Sequence, residues 1–158
     1  MGQSMVRRLR MFRALTKLLR KPEPPRAPFV DQALGEFAFD RDLGWKKQVV
    51  LGGKKAELVL GSDGDAPSEE MLQTARSWVS GWSAELPKMI EYIRTELRKW
   101  AGEPSLPDPD KFEVESVNIL WRDKPNASMI YFHYPGDDIR LWHVTFYGFE
   151  PHGFAYDD

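Results

Sequence analysis

SEEMLQTARSWVSGWSAELPKMIEYIRTELRKW, residues 68–100, carries apolar side chains at three- and four-residue steps, the signature of helix. Ser68 is a good N-cap, and Glu69 and Glu70 follow in the first turn, where the helix dipole favours acid. Met71, Leu72, Ala75, Trp78, Val79 and Trp82 form one apolar face. A second start falls near Ser83, because Pro87 is tolerated in a first turn, and Leu86, Met89, Ile90, Ile93, Leu97 and Trp100 form the next face. The pattern predicts two helices, 68–82 and 84–101, which need a common apolar surface to cover.

The flanking segments supply that surface as strands. Leu34 to Phe39 and Trp45 to Leu60 are strand-like, and the latter is divided by Gly52-Gly53, a pair suited to the positive φ of a tight hairpin. After a breaker stretch from Gly102 to Asp110 come strand-like runs at 113–122, 128–134 and 139–147, joined by turn chemistry at Asp123–Ala127 and Pro135–Asp138. Helices grouped in one block between strands argue for an α+β fold. The expectation is a mainly antiparallel sheet with two amphipathic helices packed on one face, plus an N-terminal basic amphipathic helix. Residues 1–28 form an arm and linker, and residues 29–158 form one domain, long enough to bury roughly two-thirds of its unfolded surface.

Charge divides the chain at the same place. The first 28 residues hold eight Lys/Arg against Glu23 alone, whereas the remaining 130 hold 14 basic against 23 acidic residues. Over residues 5–21, Met5, Leu9, Met11, Phe12, Leu15, Leu18 and Leu19 fill one half of a helical wheel, and Arg7, Arg10, Arg13, Lys17, Arg20 and Lys21 fill the other. Such a segment suits an anionic membrane surface, a partner's acidic groove or the chain's own acidic body. Pro22, Pro24, Pro25 and Pro28 then make a semi-rigid spacer. The absence of cysteine removes disulfides, thiol nucleophiles and thiolate zinc sites, so the expected location is cytoplasmic, peripheral at the membrane if the arm engages lipid. The acidic body argues against specific nucleic-acid binding.

No catalytic signature stands out. Gly61-Ser62-Asp63-Gly64-Asp65 lies where a phosphate loop would sit, yet it lacks the Lys-Ser/Thr ending and its carboxylates repel phosphate. All three histidines and nine of the 20 aromatic residues lie between Met129 and Asp158. An acid–base pair would have to come from His143 with Asp137 or Asp138, and a metal site from His133 and His143. A two- or four-residue loop at Gly136-Asp137 sets His133 opposite Arg140 and His143 opposite Ile130, on different faces; an odd loop brings them to one face. No cofactor is implied. Arg7, Arg10, Arg13, Lys17, Arg20, Trp142 and His143 are the candidate binding residues.

Three segments resemble a bacterial domain-of-unknown-function family: Gly35-Glu36-Phe37-Ala38-Phe39-Asp40, Trp45 with its hairpin, and Gly136-Asp137-Asp138-Ile139-Arg140-Leu141-Trp142-His143-Val144. The resemblance covers roughly residues 30–156 and implies a bacterial α+β domain; similar domains include immunity proteins, which act by binding. Trp142 stands where that pattern has glycine before the late histidine, so no role for His143 carries over. Together these readings favour a non-catalytic protein-binding module, immunity-like, whose acidic body engages a basic protein such as a toxin or nucleic-acid enzyme. The alternatives are a small enzyme or metal-binding protein using the His/Asp cluster of residues 133–152, and a peripheral membrane protein acting through residues 5–21.

Overall fold

A computed structural model of the chain describes residues 26–61, 66–100, 102 and 106–157. Four strands come first, β1 (Phe29–Asp31), β2 (Gly35–Asp40), β3 (Gly44–Leu51) and β4 (Lys54–Leu60), followed by a helix, α1 (Glu69–Lys99). A 3-10 turn (Pro109–Lys111) leads to β5 (Glu113–Ile119), β6 (Ala127–His133), β7 (Leu141–Tyr147) and β8 (Glu150–Asp157). All eight strands lie in one sheet in sequence order. Neighbours are antiparallel except β4 and β5, which run parallel because α1 carries the chain back to the end where β4 began.

This overturns the expected arrangement of two helices on a mainly antiparallel sheet. The described residues hold one α-helix of 31 residues, about 46 Å long at 1.5 Å per residue. The two anticipated apolar faces are in phase, and buried Met71, Ala75, Trp78, Trp82, Met89, Ile93 and Leu97 make a single stripe. Pro87 lies inside the helix, on its exposed side. The carbonyl it leaves without an intrahelical donor belongs to Ser83, also exposed, where water can serve it. The hydroxyl of Ser68 caps the start by accepting from the Met71 amide at 3.3 Å. The expected N-terminal helix, residues 5–21, lies outside the described residues. Strands β1 and β8 were not anticipated.

Alternation along the strands divides the sheet into two faces. Beneath α1 are Phe37, Trp45, Leu58 and Leu60 on one side of the parallel joint, and Val117, Ile130, Phe132, Trp142, Val144 and Phe154 on the other. Trp78 stands at the centre, with rings of Phe146 and Phe149 edge-on at 4.9 and 4.7 Å. Its indole N–H donates to the buried Ser128 hydroxyl at 2.9 Å, so a polar atom in the core is satisfied. At the joint, Gly61 N donates to the Ile119 carbonyl at 2.8 Å. A Cβ on Gly61 would stand 2.3 Å from the Leu120 carbonyl oxygen, so only glycine permits this approach.

Candidate functional site

The face of the sheet turned away from α1 has no described helix or strand lying over it. Its C-terminal half collects the chemistry anticipated between Met129 and Asp158. In β6 and β7, Tyr131 is directly opposite His143, with ring centroids 5.2 Å apart. This register differs from the expected pairing with Ile130, and it puts His133 and His143 on the same face. The cause is the seven-residue loop between β6 and β7, an odd length. Asp137 builds that loop: its Oδ1 accepts from the amides of Ile139 and Arg140, and its Oδ2 accepts from Arg140 Nε at 2.6 Å. Burial pushes the Asp137 carboxyl upward, but these bonds outweigh it and hold the pKa below the usual range.

Asp137 is therefore committed to its own loop, and Asp138 follows it there. The carboxylate that does approach His143 is Asp157 in β8, which sequence reading missed: its Oδ2 is 3.8 Å from His143 Nδ1, beyond hydrogen-bond reach. That nitrogen is shut off from solvent and has no partner, as is Oδ1 of Asn118 in β5. Tyr131 was missed as well. Its burial, followed by the charge of Asp157, raises its phenol above the ordinary value. Its hydroxyl has Met129 Sδ at 4.0 Å. The group can position an imidazole between an aromatic ring and a carboxylate, an arrangement suited to gripping a polar or cationic side chain.

The remaining candidates lie elsewhere. His133 pairs across strands with Glu113, whose carboxyl is held low chiefly by its bond from Lys54. His152 is exposed, edge-on to Tyr147 at 4.7 Å. Trp142 projects to the opposite face, fully buried under α1, with the Arg140 guanidinium 5.0 Å from its ring, so it cannot offer a binding surface. Arg7, Arg10, Arg13, Lys17, Arg20 and the loop 62–65 lie outside the described residues. Among the described residues no group of three or more His, Asp or Glu is arranged to hold a metal ion. Among them, too, no helix is long and apolar enough to cross a membrane.

Charge differs between the molecule's two sides. Helix α1 carries five acids and five bases, several of them in ion pairs one turn apart, such as Glu91–Arg94 at 2.6 Å. The open face of the sheet instead presents Glu36, Asp40, Glu57, Glu113, Glu150 and Asp157, against Lys46, Lys55 and the Lys54 bonded to Glu113. Lys46 lies 2.9 Å from Asp40 and 3.8 Å from Glu57. Its bond lowers the pKa of Asp40, and Asp40 raises that of Lys46. Acid therefore rims a centre formed by buried Val59 and half-buried Asn118, Met129, Tyr131 and His143.

A second concavity, of about 510 Å³, lies at the β1–β2 turn between Phe29, Asp31, Leu72 and Arg76. Its polar atoms serve the fold. Asp31 is 5% exposed, accepts from the amides of Ala33 and Leu34 at 3.0 and 2.7 Å, and binds the Arg76 guanidinium. No protein-family model, characterised protein or solved structure matches the chain.

Proposed function

We propose that this protein is a binding module that presents the acidic, aromatic open face of its sheet to a basic protein. One observation carries the reading: acidic excess gathers on that face while α1 is charge-balanced. An acidic rim around a centre of Tyr, His and Met suits a partner's Arg or Lys, because rim charges steer encounter and aromatic groups hold the arriving side chain. The resemblance to bacterial domains that include immunity proteins agrees with this mode, and the partner would then be a basic toxin or nucleic-acid enzyme met in the cytoplasm.

The test compares the full chain with the charge-reversed face Glu57→Lys/Asp157→Lys as bait for proteins of the native host. Basic proteins should be retained at about 0.05 M salt and released at about 0.5 M, where screening shortens to a few ångströms. The reversed face should retain none of them. Equal capture by both baits removes the reading.

A further inference from the structure

We infer that the outer edge of β8, residues 154–157, takes up an extended segment of the basic partner as an added strand. This rests on the proposed function and names how that partner is held. β8 is the last strand of the sheet, and among the described residues no strand lies beyond it. Its register shows which backbone groups are free. β7 and β8 turn through Gly148-Phe149, so Tyr147 and Glu150 close a two-residue hairpin as a hydrogen-bonded pair. Bonded and non-bonded pairs alternate from there, and Thr145, His143 and Leu141 continue the bonded set on β7. The bulge adds His152 to β8, so the partners of that set are Gly153, Ala155 and Asp157. Phe154 and Tyr156 therefore turn their N–H and C=O groups outward, where among the described residues no backbone group meets them. An extended chain is what pairs with such an alternating row.

The two ends of the sheet are protected differently. β1, at the far end, is only three residues long, and the first half of β8 carries Pro151 and the bulge, devices that blunt an edge. Residues 154–157 have no proline and no lysine. The side chains around this stretch define the occupant's chemistry. On the open face Gly153 and Ala155 leave a shelf beside Thr145 and His143, since a Cβ on Gly153 would meet nothing within 4 Å. Asp157, whose side chain is 64% exposed, stands at its end, so a long cationic side chain on the added strand crosses small residues and reaches a carboxylate. On the opposite face Tyr156 is 41% exposed, with the Trp142 and Trp100 rings 5.0 and 6.1 Å away, a surface for the apolar side chains that alternate with the cations. A second copy of the chain fits less well, because Glu150 and Asp157 would meet a body with 23 acidic residues against 14 basic.

The experiment is amide hydrogen exchange of the full chain, followed by NMR with and without a capped peptide of alternating Lys and Val. At a peptide concentration about ten times its Kd, exchange at Phe154 and Tyr156 should slow on the order of tenfold. Ala155, already bonded to β7, should not change, so protection at alternate residues is the signature of an added strand. A fully N-methylated form of the peptide keeps the side chains and loses every donor, and it should protect neither amide. A peptide of alternating Glu and Val should also fail. Tyr156→Pro removes an outward N–H and sets its ring on the edge, and it should abolish the slowing at Phe154. If that variant fails to fold, as read from the helical amide of Trp78, the N-methylated peptide decides alone because it leaves the protein untouched. No slowing up to about 5 mM Lys-Val peptide, where even weak binding registers, overturns the added strand, as does equal protection by the Glu or N-methylated peptide. Protection of Phe154 and Tyr156 in the chain alone also overturns it, assigning the edge to a second copy if it grows with protein concentration and to the chain itself if it does not. The two proposals fail separately: basic host proteins retained as fully by the Tyr156→Pro bait as by the natural chain remove the added strand alone, and edge protection by the Lys-Val peptide with no basic host protein retained removes the partner reading alone.

Discussion

The two faces of one sheet obey different rules. On the face under α1, Trp78, Phe132, Trp142 and Ile130 are at most 1% exposed; the Trp78 indole is hydrogen-bonded, whereas the buried Trp142 Nε1 has no partner. On the other face Tyr131 and His143 are half-buried, and the His143 Nδ1 and the Asn118 Oδ1 are unpaired. The first arrangement maximises apolar burial and leaves little to bind. The second keeps half-buried aromatic and polar side chains and an excess of acid on strands that pack against α1 through the first.

The largest break in this contrast should come from Trp78→Ala. It removes the central ring and leaves Ser128 without its donor, and should destabilise the protein by about 3–5 kcal/mol in urea unfolding. A loss below about 1 kcal/mol would mean that α1 is not sealed to the sheet as described. Next is Gly61→Val at the parallel joint. The added carbons meet backbone at Leu120 rather than a side chain that can turn aside, so about 3 kcal/mol should be lost. The equivalent change at Gly53, whose Cβ would meet nothing within 4 Å, tests backbone strain alone and should cost less.

The third prediction concerns Asp31, the buried anchor of the β1–β2 turn. The Arg76 bond, ahead of the amides of Leu34 and Ala33, holds its pKa below the ordinary carboxylate value despite burial. A depressed folded pKa stabilises fully above the unfolded value of about 3.9 and is lost as pH falls through the lower folded value. Asp31→Asn should therefore cost about 2 kcal/mol near neutrality, and the difference should shrink below about pH 4. Urea midpoints measured across pH check this, and a difference that stays constant down to pH 2 would exclude the ion pair as its source.

How much of this was legible depended on whether local pattern or partner register decided the outcome. The Gly52-Gly53 hairpin was legible because both residues need the positive φ they adopt, 58° and 81°. The apolar stripe of α1 was legible too, but Pro87 read as a helix start. The phase continuity from Trp82 through Leu86 to Met89 was the stronger signal, since a proline on the exposed side leaves its orphaned carbonyl to water. Strand β8 escaped notice because Pro151 and Gly153 are poor strand formers, and an edge strand tolerates both. Losing β8 also lost Asp157. The pairing of Tyr131 with His143 depended on loop parity, set by the Asp137–Arg140 clasp rather than by any periodicity in the strands.

The smallest expected effect sharpens the contrast most. Tyr131→Phe removes a hydroxyl whose nearest recorded partner is Met129 Sδ at 4.0 Å, a weak acceptor at long range, and it keeps the ring against His143. If the open face is an uncommitted surface, stability should change by less than about 0.5 kcal/mol, as for a substitution that breaks no bond. If another group donates to or accepts from that hydroxyl, the loss should instead approach about 1 kcal/mol, the net worth of a hydrogen bond. A cost of that size would make the two faces more alike than their exposures suggest, because the open face would then hold its polar groups as firmly as the core holds the Trp78 indole.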